Sequence, residues 1–246
     1  MVDIESLARR IADWMHEYAE HAGAAGYVVG ISGGIDSAVT AALAVRAMGP
    51  DHTLGALLPC HSQPEDARYA HMVTEALGLP EVTVDLGATY DALTSVLPSG
   101  PSIAYANVKP RLRMTALYFL AQANGYLVAG TGNKTELMVG YFTKYGDGGT
   151  DIEPLGELYK HEVRALARVL GIPQPVIDRP PTAGLWPGQT DEGELGITYD
   201  ELDAILAALE RGETPVASPQ TVARVKQMVA TSAHKRSVPP RCPIPR

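Results

Sequence analysis

The sequence predicts an α/β fold, a parallel sheet with helices on both faces. Short apolar runs of strand length alternate with longer stretches of helical periodicity, and each run ends in a loop of glycine and polar residues rather than a tight hairpin turn. Strands buried on both faces read as near-continuous apolar runs, and crossover helices are what joins them. In addition, 246 residues of 46% hydrophobic composition can bury one sizeable core. No internal repeat or low-complexity stretch divides them, so residues 1–246 are expected to form a single Rossmann-like domain.

Each element can be justified in order. The opening MVDIESLARRIADWMHEY places Leu7, Ile11, Trp14 and Tyr18 at helical spacing. It lacks the basic-then-apolar-then-small pattern of a targeting segment, and predicts a folded amphipathic helix. YVVGI (27–31) predicts the first strand, followed by a helix over about 36–48. TLGALL (53–58) and VTVDL (82–86) predict two more strands around a helix over about 65–77. A helix over about 108–124 and the strand YLVAG (126–130) extend the sheet. Ligands of such sheets bind beyond the carboxyl ends of the strands, and GISGGIDS, LLPCHSQ and VAGTGNKTE all lie there. Past residue 140 come two Gly- and Pro-rich stretches, KYGDGGTDIEPLG and DRPPTAGLWPGQTDEGELG, around a helix over about 160–170. Loops this long predict a cover over a substrate. Helices over about 199–210 and 219–231 precede a proline-rich tail.

Charge and cysteine usage narrow the function. A formal net charge of −8 repels nucleic acid and acidic membranes, so a polyanionic ligand must be small and met by a local cationic pocket. Cys60 and Cys242 show no paired spacing, which argues against a disulfide framework or a zinc site and for a reducing cytoplasm. No apolar run approaches the roughly 20 residues of a membrane span.

The segment GISGGIDS, residues 30–37, sits where a strand meets a helix. Ser32-Gly33-Gly34 lets backbone N–H groups converge on an anion, and the helix start adds its positive dipole end. The lysine of a common phosphate loop is missing. Asp36 can replace it by holding a Mg²⁺ that neutralises phosphate charge, with Ser37 donating to an oxygen; either residue equally suits an ordinary N-cap. Lys109, Arg111 and Arg113 fall within two helical turns, as an anion cradle or a solvated basic face. Glu136 would meet the metal held by Asp36 if their strands are neighbours, or would cap its own helix. Lys160 stands at a helix start, an unfavourable place for a cation unless an anion is bound or the side chain is solvated.

SGGxDS after a strand resembles the pyrophosphate loop of the N-type ATP pyrophosphatases, which split ATP between its α- and β-phosphates and adenylate a carboxylate or similar group. FTKYGDGG, PPTAGLW, TDEGELG and AHKRSVP then narrow the likeness to ammonia-dependent NAD synthetases, from about residue 5 to the AHKRSVP segment. The resemblance implies an adenine nucleotide alpha hydrolase-like fold and amidation of deamido-NAD by ammonia, with ATP going to AMP and pyrophosphate. It implies ATP contacts at Gly30, Ile31, Ser32, Gly33, Gly34, Ile35, Asp36, Ser37, Gln63, Thr131, Lys160 and Thr182, with Mg²⁺ on Asp36 and Glu136. Arg111, Lys144, Asp151, His234 and Lys235 match deamido-NAD positions, and Asp147 is a candidate for taking a proton from ammonium. His234 and Lys235 also suit the end of a helix, where cations favour the dipole. The family often carries an arginine before the proline that follows its second strand; here Leu58 precedes Pro59, which puts the adenosine contact of Gln63 in doubt. The resemblance further implies a cytoplasmic homodimer with the dinucleotide at the subunit interface, and 246 residues leave no room for a glutaminase domain, so free ammonia is the expected nitrogen source.

Overall fold

The sheet has four parallel strands, β1 (Tyr27–Gly30), β2 (Thr53–Leu57), β3 (Glu81–Thr83) and β4 (Leu127–Ala129), in the spatial order β3-β2-β1-β4. Tyr27 pairs with Thr53 on one side and with Leu127 on the other, so β1 is central. This computed structural model describes residues 3–186 and 188–244. Met1, Val2, Pro187, Pro245 and Arg246, which belong to the expected 1–246 domain, lie outside the described residues.

The helices, in chain order, are α1 (Ile4–Ala22), α2 (Ile35–Met48), α3 (Pro64–Leu77), α4 (Gly87–Val96), α5 (Ser102–Ala106), α6 (Val108–Asn124), α7 (Lys134–Val139), α8 (Lys160–Val169), α9 (Gln174–Ile177), α10 (Asp191–Leu195), α11 (Tyr199–Glu210) and α12 (Pro219–Thr231). Alternation along the strands decides which helices lie where. Tyr27, Val29, Leu57 and Ala129 join a core shared with α1, α2 and α8, while Val28, Ala56 and Val128 meet residues of α6 on the opposite face. The α/β fold with helices on both faces is the one the sequence predicts. A second apolar cluster, built by Val139, Tyr159, Leu202, Leu206 and Val225, packs α11 and α12 against α7.

α2 is alanine-rich and buried along most of its length from Ile35 to Ala44. Small side chains let the sheet, α1 and α8 approach it from different sides. α1 begins at Asp3, whose carboxylate accepts from Ser6 N at 3.2 Å, and is tied to the sheet by the Tyr27 hydroxyl, which donates to the Met15 carbonyl at 2.7 Å. Its buried stripe is Ala8, Ala12, Met15 and Ala19; the neighbouring Leu7 and Ile11 are only partly buried, and Trp14 and Tyr18 stay exposed. Small residues thus sit where the helix meets α2, and the bulky aromatics of the expected face are turned out. β3 starts one residue earlier than expected and ends at Thr83, with Val84 and Leu86 still donating to Leu57 and Pro59. α4 and α5 have no counterpart in the sequence reading, because GATYDALTSV and SIAYA bury almost nothing and show no apolar stripe.

Candidate active site

The carboxyl ends of β1, β2 and β4 open into one cavity of about 840 Å³, within the range of small-molecule sites. Its floor is the 30–37 segment. Gly33 has φ +77°, and a Cβ there would meet Tyr69 Cβ at 2.7 Å and the Asp66 carbonyl oxygen at 2.8 Å. Both the left-handed backbone and the close approach of α3 therefore demand glycine. Gly34 is the N-cap of α2 and no side chain caps that helix, so neither Asp36 nor Ser37 is used up as a cap. Ser37 braces the loop, donating to the Gly34 carbonyl at 2.9 Å and lying 3.1 Å from Ser32 Oγ, while Gly34 N donates to Ser32 Oγ at 3.2 Å. The free N–H groups of the first turn of α2 are the anion-facing donors that remain.

β1 and β4 are neighbours, which brings Asp36 at the start of α2 near Glu136 in α7. Lys160, the first residue of α8, lies between them and is 1% exposed. Its Nζ is 2.5 Å from Asp36 Oδ2 and 3.1 Å from Glu136 Oε1. Lys160 is therefore not a solvated lysine. Glu136 caps its own helix, Oε2 accepting from the Asn133 backbone N–H in a capping box, while Oε1 faces Lys160 beside Asp36. Asn133 Nδ2 donates to Asp36 Oδ1 at 2.9 Å, and the Tyr199 hydroxyl lies 3.0 Å from both Glu136 Oε1 and Asp191 Oδ2.

One ammonium thus faces two carboxylates, and Asp191 joins them through the Tyr199 hydroxyl. Burial, aided by Asp36 and Asp191 and opposed by Lys160, pushes Glu136 up to about 7. Burial works against the charge on Lys160, but Asp36 and Glu136 outweigh it and raise its pKa. The Lys160 ammonium marks where two carboxylates converge on a cation, and oxygen donors of this kind suit a hard divalent ion. Among the described residues no three His, Cys, Asp or Glu side chains group to hold a metal. The donor chemistry of Asp36 and Glu136 fits Mg²⁺, which commonly takes one or two protein carboxylates.

The other candidate residues are arranged around this centre. Gly30, Ile31, Ile35 and Thr131 line the cavity, as do Gln63 at the N-cap of α3 and Thr182 in the 179–185 loop. At the far end lie Arg111, Lys144, His234 and Lys235. Arg111 donates to the carbonyls of Asn107 and Lys144, Lys144 to that of His234, and Lys235 to those of Gly140 and Phe142. α12 ends at Thr231, so His234 and Lys235 sit in the following 3-10 turn and do not close that helix. Asp147 also lines the cavity; Thr143 N donates to its Oδ1 at 2.9 Å, and crowding by protein raises its pKa although the residue remains open to solvent at one side. Asp151 is not brought to the cavity. It is exposed, and its carboxylate accepts from Val128 N at 2.8 Å and from the Tyr118 hydroxyl at 3.1 Å.

The basic stretch divides into three uses. Arg111 reaches the open end, Lys109 Nζ donates to the Leu185 carbonyl at 2.9 Å, and Arg113 donates to the Leu58 carbonyl at 3.0 Å and to Ser62 Oγ at 3.3 Å. A guanidinium from α6 therefore reaches the loop in which Leu58 replaced the expected arginine. Asn133, Asp191, Tyr199, Asp66 and Arg179 were missed as site residues. The Asn-x-x-Glu spacing of Asn133 and Glu136 is a capping-box signal that marks the former, and Gln63 and Asp66 share that spacing at the start of α3, but the contacts of Asp66 with Arg179 and of Tyr199 with Glu136 arise only through the tertiary fold.

Comparison with known proteins bears on the chain as a whole. The family model for NAD synthase matches residues 7–239. An NH(3)-dependent NAD(+) synthetase of Carboxydothermus hydrogenoformans is 47% identical over 243 residues, covering 97% of each chain. That of Archaeoglobus fulgidus is 46% identical, again over 97% of each. Among solved structures, an NMN synthetase from Francisella tularensis superposes with a TM-score of 0.91 at 35% identity, covering 99% of this chain and 100% of that one. An NH3-dependent NAD synthetase from Campylobacter jejuni in complex with nitrate gives 0.86 at 28% identity, with the same coverage.

Proposed function

This chain belongs to the NAD synthase family, and on that premise we propose how its residues carry the reaction. It is an ammonia-dependent ligase that uses ATP to amidate deamido-NAD to NAD. The observation that carries the mechanism is the buried Lys160 ammonium between the half-buried carboxylates of Asp36 and Glu136, beside the Gly33–Gly34 loop.

A carboxylate resists amidation because its oxygen is a poor leaving group, whereas AMP leaves readily from an acyl adenylate. In the proposed sequence a nicotinate oxygen attacks the α-phosphorus of ATP and the bond from that phosphorus to the β-bridging oxygen breaks. Pyrophosphate leaves and a nicotinyl adenylate remains. Mg²⁺ on Asp36 and Glu136 would neutralise phosphate charge. The 30–37 loop binds the phosphates through its backbone donors, and Lys160, freed from the two carboxylates, donates to the leaving pyrophosphate. Gln63, Thr131 and Thr182 position the nucleotide, and the 179–185 loop keeps water from the adenylate. Asp147, whose carboxylate lines the cavity with Oδ1 held by Thr143 N, takes a proton from ammonium. Ammonia attacks the carbonyl carbon, the bond from that carbon to the AMP oxygen breaks, and the proton shed by the new amide leaves to the AMP phosphate or to water.

Arg111, Lys144, His234 and Lys235 receive the dinucleotide. Asp151 is part of the same proposal through a second copy: Tyr118, which holds it, adjoins Phe119 on α6, a side chain 71% exposed. A homodimer joined there would bring Asp151 into an interface. Both cysteines are free, in keeping with the expected cytoplasmic location, and no helix among the described residues is long and apolar enough to cross a membrane.

The test is incubation of the purified chain with Mg²⁺-ATP and deamido-NAD, with ammonium or glutamine in parallel, following NAD, AMP and pyrophosphate. All three should rise together with ammonium alone. Because the chain also resembles an NMN synthetase, the corresponding mononucleotide acid belongs beside deamido-NAD; faster turnover of the mononucleotide would move the far-end assignments. Pyrophosphate release that does not depend on either acceptor would overturn the adenylation step.

A further inference from the structure

We propose that Arg179 is an ATP phosphate-binding residue, held by Asp66 until nucleotide arrives. The inference rests on the reading that ATP phosphates occupy the Gly33–Gly34 loop.

Arg179 opens the 179–185 loop and lines the cavity. Its guanidinium is mostly buried and pairs through Nη2 with Asp66 Oδ1 in α3, while Nη1 is 3.5 Å from the carbonyl oxygen of Ser32, inside the phosphate loop. It lies over the Tyr69 ring with Cζ 4.6 Å from the centroid, and Tyr69 is the side chain against which Gly33 is packed. The planar fork is thus stacked at the edge of the anion site, with one arm toward a carboxylate and one toward the loop. That is a prepared position for a group whose geometry matches phosphate bidentately.

The exchange leaves no orphan. Asp66 is the N3 residue of α3, where Oδ2 accepts from the Gln63 backbone N–H at 3.0 Å and the helix N-terminus favours a negative charge. When Arg179 turns from Asp66 to a triphosphate, the carboxylate keeps those partners, and the arginine trades one anionic charge for several. The same movement draws Pro180, Pro181 and Thr182 toward the nucleotide, so the covering loop closes on the phosphates by its own first residue. Asp66 therefore opposes ATP twice, as a competitor for Arg179 and as a nearby like charge.

Two substitutions on one ion pair then have opposite effects, which a merely structural salt bridge cannot produce. The measurement is calorimetric binding of ATP carrying a methylene group in place of the α–β bridging oxygen, with Mg²⁺ and without dinucleotide. The wild-type chain should bind it. Arg179→Met should weaken binding at least tenfold and Arg179→Lys severalfold, because the lysine keeps the charge and loses the fork. Asp66→Asn should tighten binding severalfold, and the gain should vanish in Asp66→Asn/Arg179→Met. Thermal unfolding reports whether each variant is folded, and Arg179→Lys keeps the test standing if Arg179→Met is not. Unchanged affinity in the folded Arg179 variants, or equal weakening by Arg179→Met and Asp66→Asn, overturns the proposal alone. Failure of the wild-type chain to bind overturns the phosphate-loop reading and the role of Arg179 with it.

Discussion

At the phosphate-loop end of the cavity the cations are already engaged with acids, Lys160 with Asp36 and Glu136 and Arg179 with Asp66. At the other end Arg111, Lys144 and Lys235 donate to backbone carbonyls, and among the described residues none makes an ion pair. A carbonyl satisfies a donor without cancelling its charge. On the proposed reading, the first end exchanges partners when a metal and a nucleotide arrive together, and the second holds positive charge in reserve for an anion. An acidic chain of net charge −8 accommodates two polyanionic substrates by these two means.

The comparison breaks most readily at Asp36. Asp36→Ala should lower pyrophosphate release by about a thousandfold or more while the chain stays folded; near-normal turnover would remove Asp36 from the reacting centre. Lys160→Met should leave two half-buried carboxylates without their cation and destabilise the metal-free chain by about 1–3 kcal/mol. Millimolar Mg²⁺ should restore much of that loss in the variant and little in the wild type. Thermal unfolding with and without the metal separates the two, and a metal-insensitive variant would refute the convergence on a cation. At the open end, Lys144→Met and Lys235→Met should each raise the KM for deamido-NAD about tenfold and barely change that for ATP. Equal effects on both substrates would erase the distinction between the ends.

The last expected effect concerns Glu153, which packs against Gly130 and Gly132 just past the end of β4. It accepts from Gly132 N at 3.1 Å and Thr150 Oγ1 at 3.0 Å, and burial pushes it up to about 7 from an ordinary value of 4.5. Between those values the folded chain binds more protons than the unfolded one, so this group lowers stability as the pH rises. Glu153→Gln should therefore be the more stable chain at pH 8 by about 1–3 kcal/mol. The gap should close below about pH 5, in unfolding curves taken across that range.

What could be read in advance follows from the range of the interactions. Val28 and Val29 declare a strand buried on both faces, and Gly33, Gly34 and Asp36 form a contiguous motif that can be read in the chain even though its partners lie elsewhere. α4 and α5 escaped because exposed short helices leave no apolar period. The Arg179–Asp66 contact joins side chains 113 residues apart, and Tyr199 meets Glu136 across 63; neither leaves a local trace. Asp151 shows the opposite case, a residue marked by resemblance whose carboxylate is used at the sheet edge in a single copy of the chain.

The central place of β1 also has a meaning in time. As the chain emerges from the ribosome, β1 and β2 are made early, but Val28 and Ala56 stay uncovered on one face until α6 and β4 follow. Lys160 comes later still, and only then is the charge of Asp36 and Glu136 answered. A nascent or truncated chain ending before α8 therefore has its phosphate loop and lacks the cation that completes the site. Such a fragment would present acid and bare apolar surface together, and the ability to hold ATP productively marks a chain whose late segments have docked.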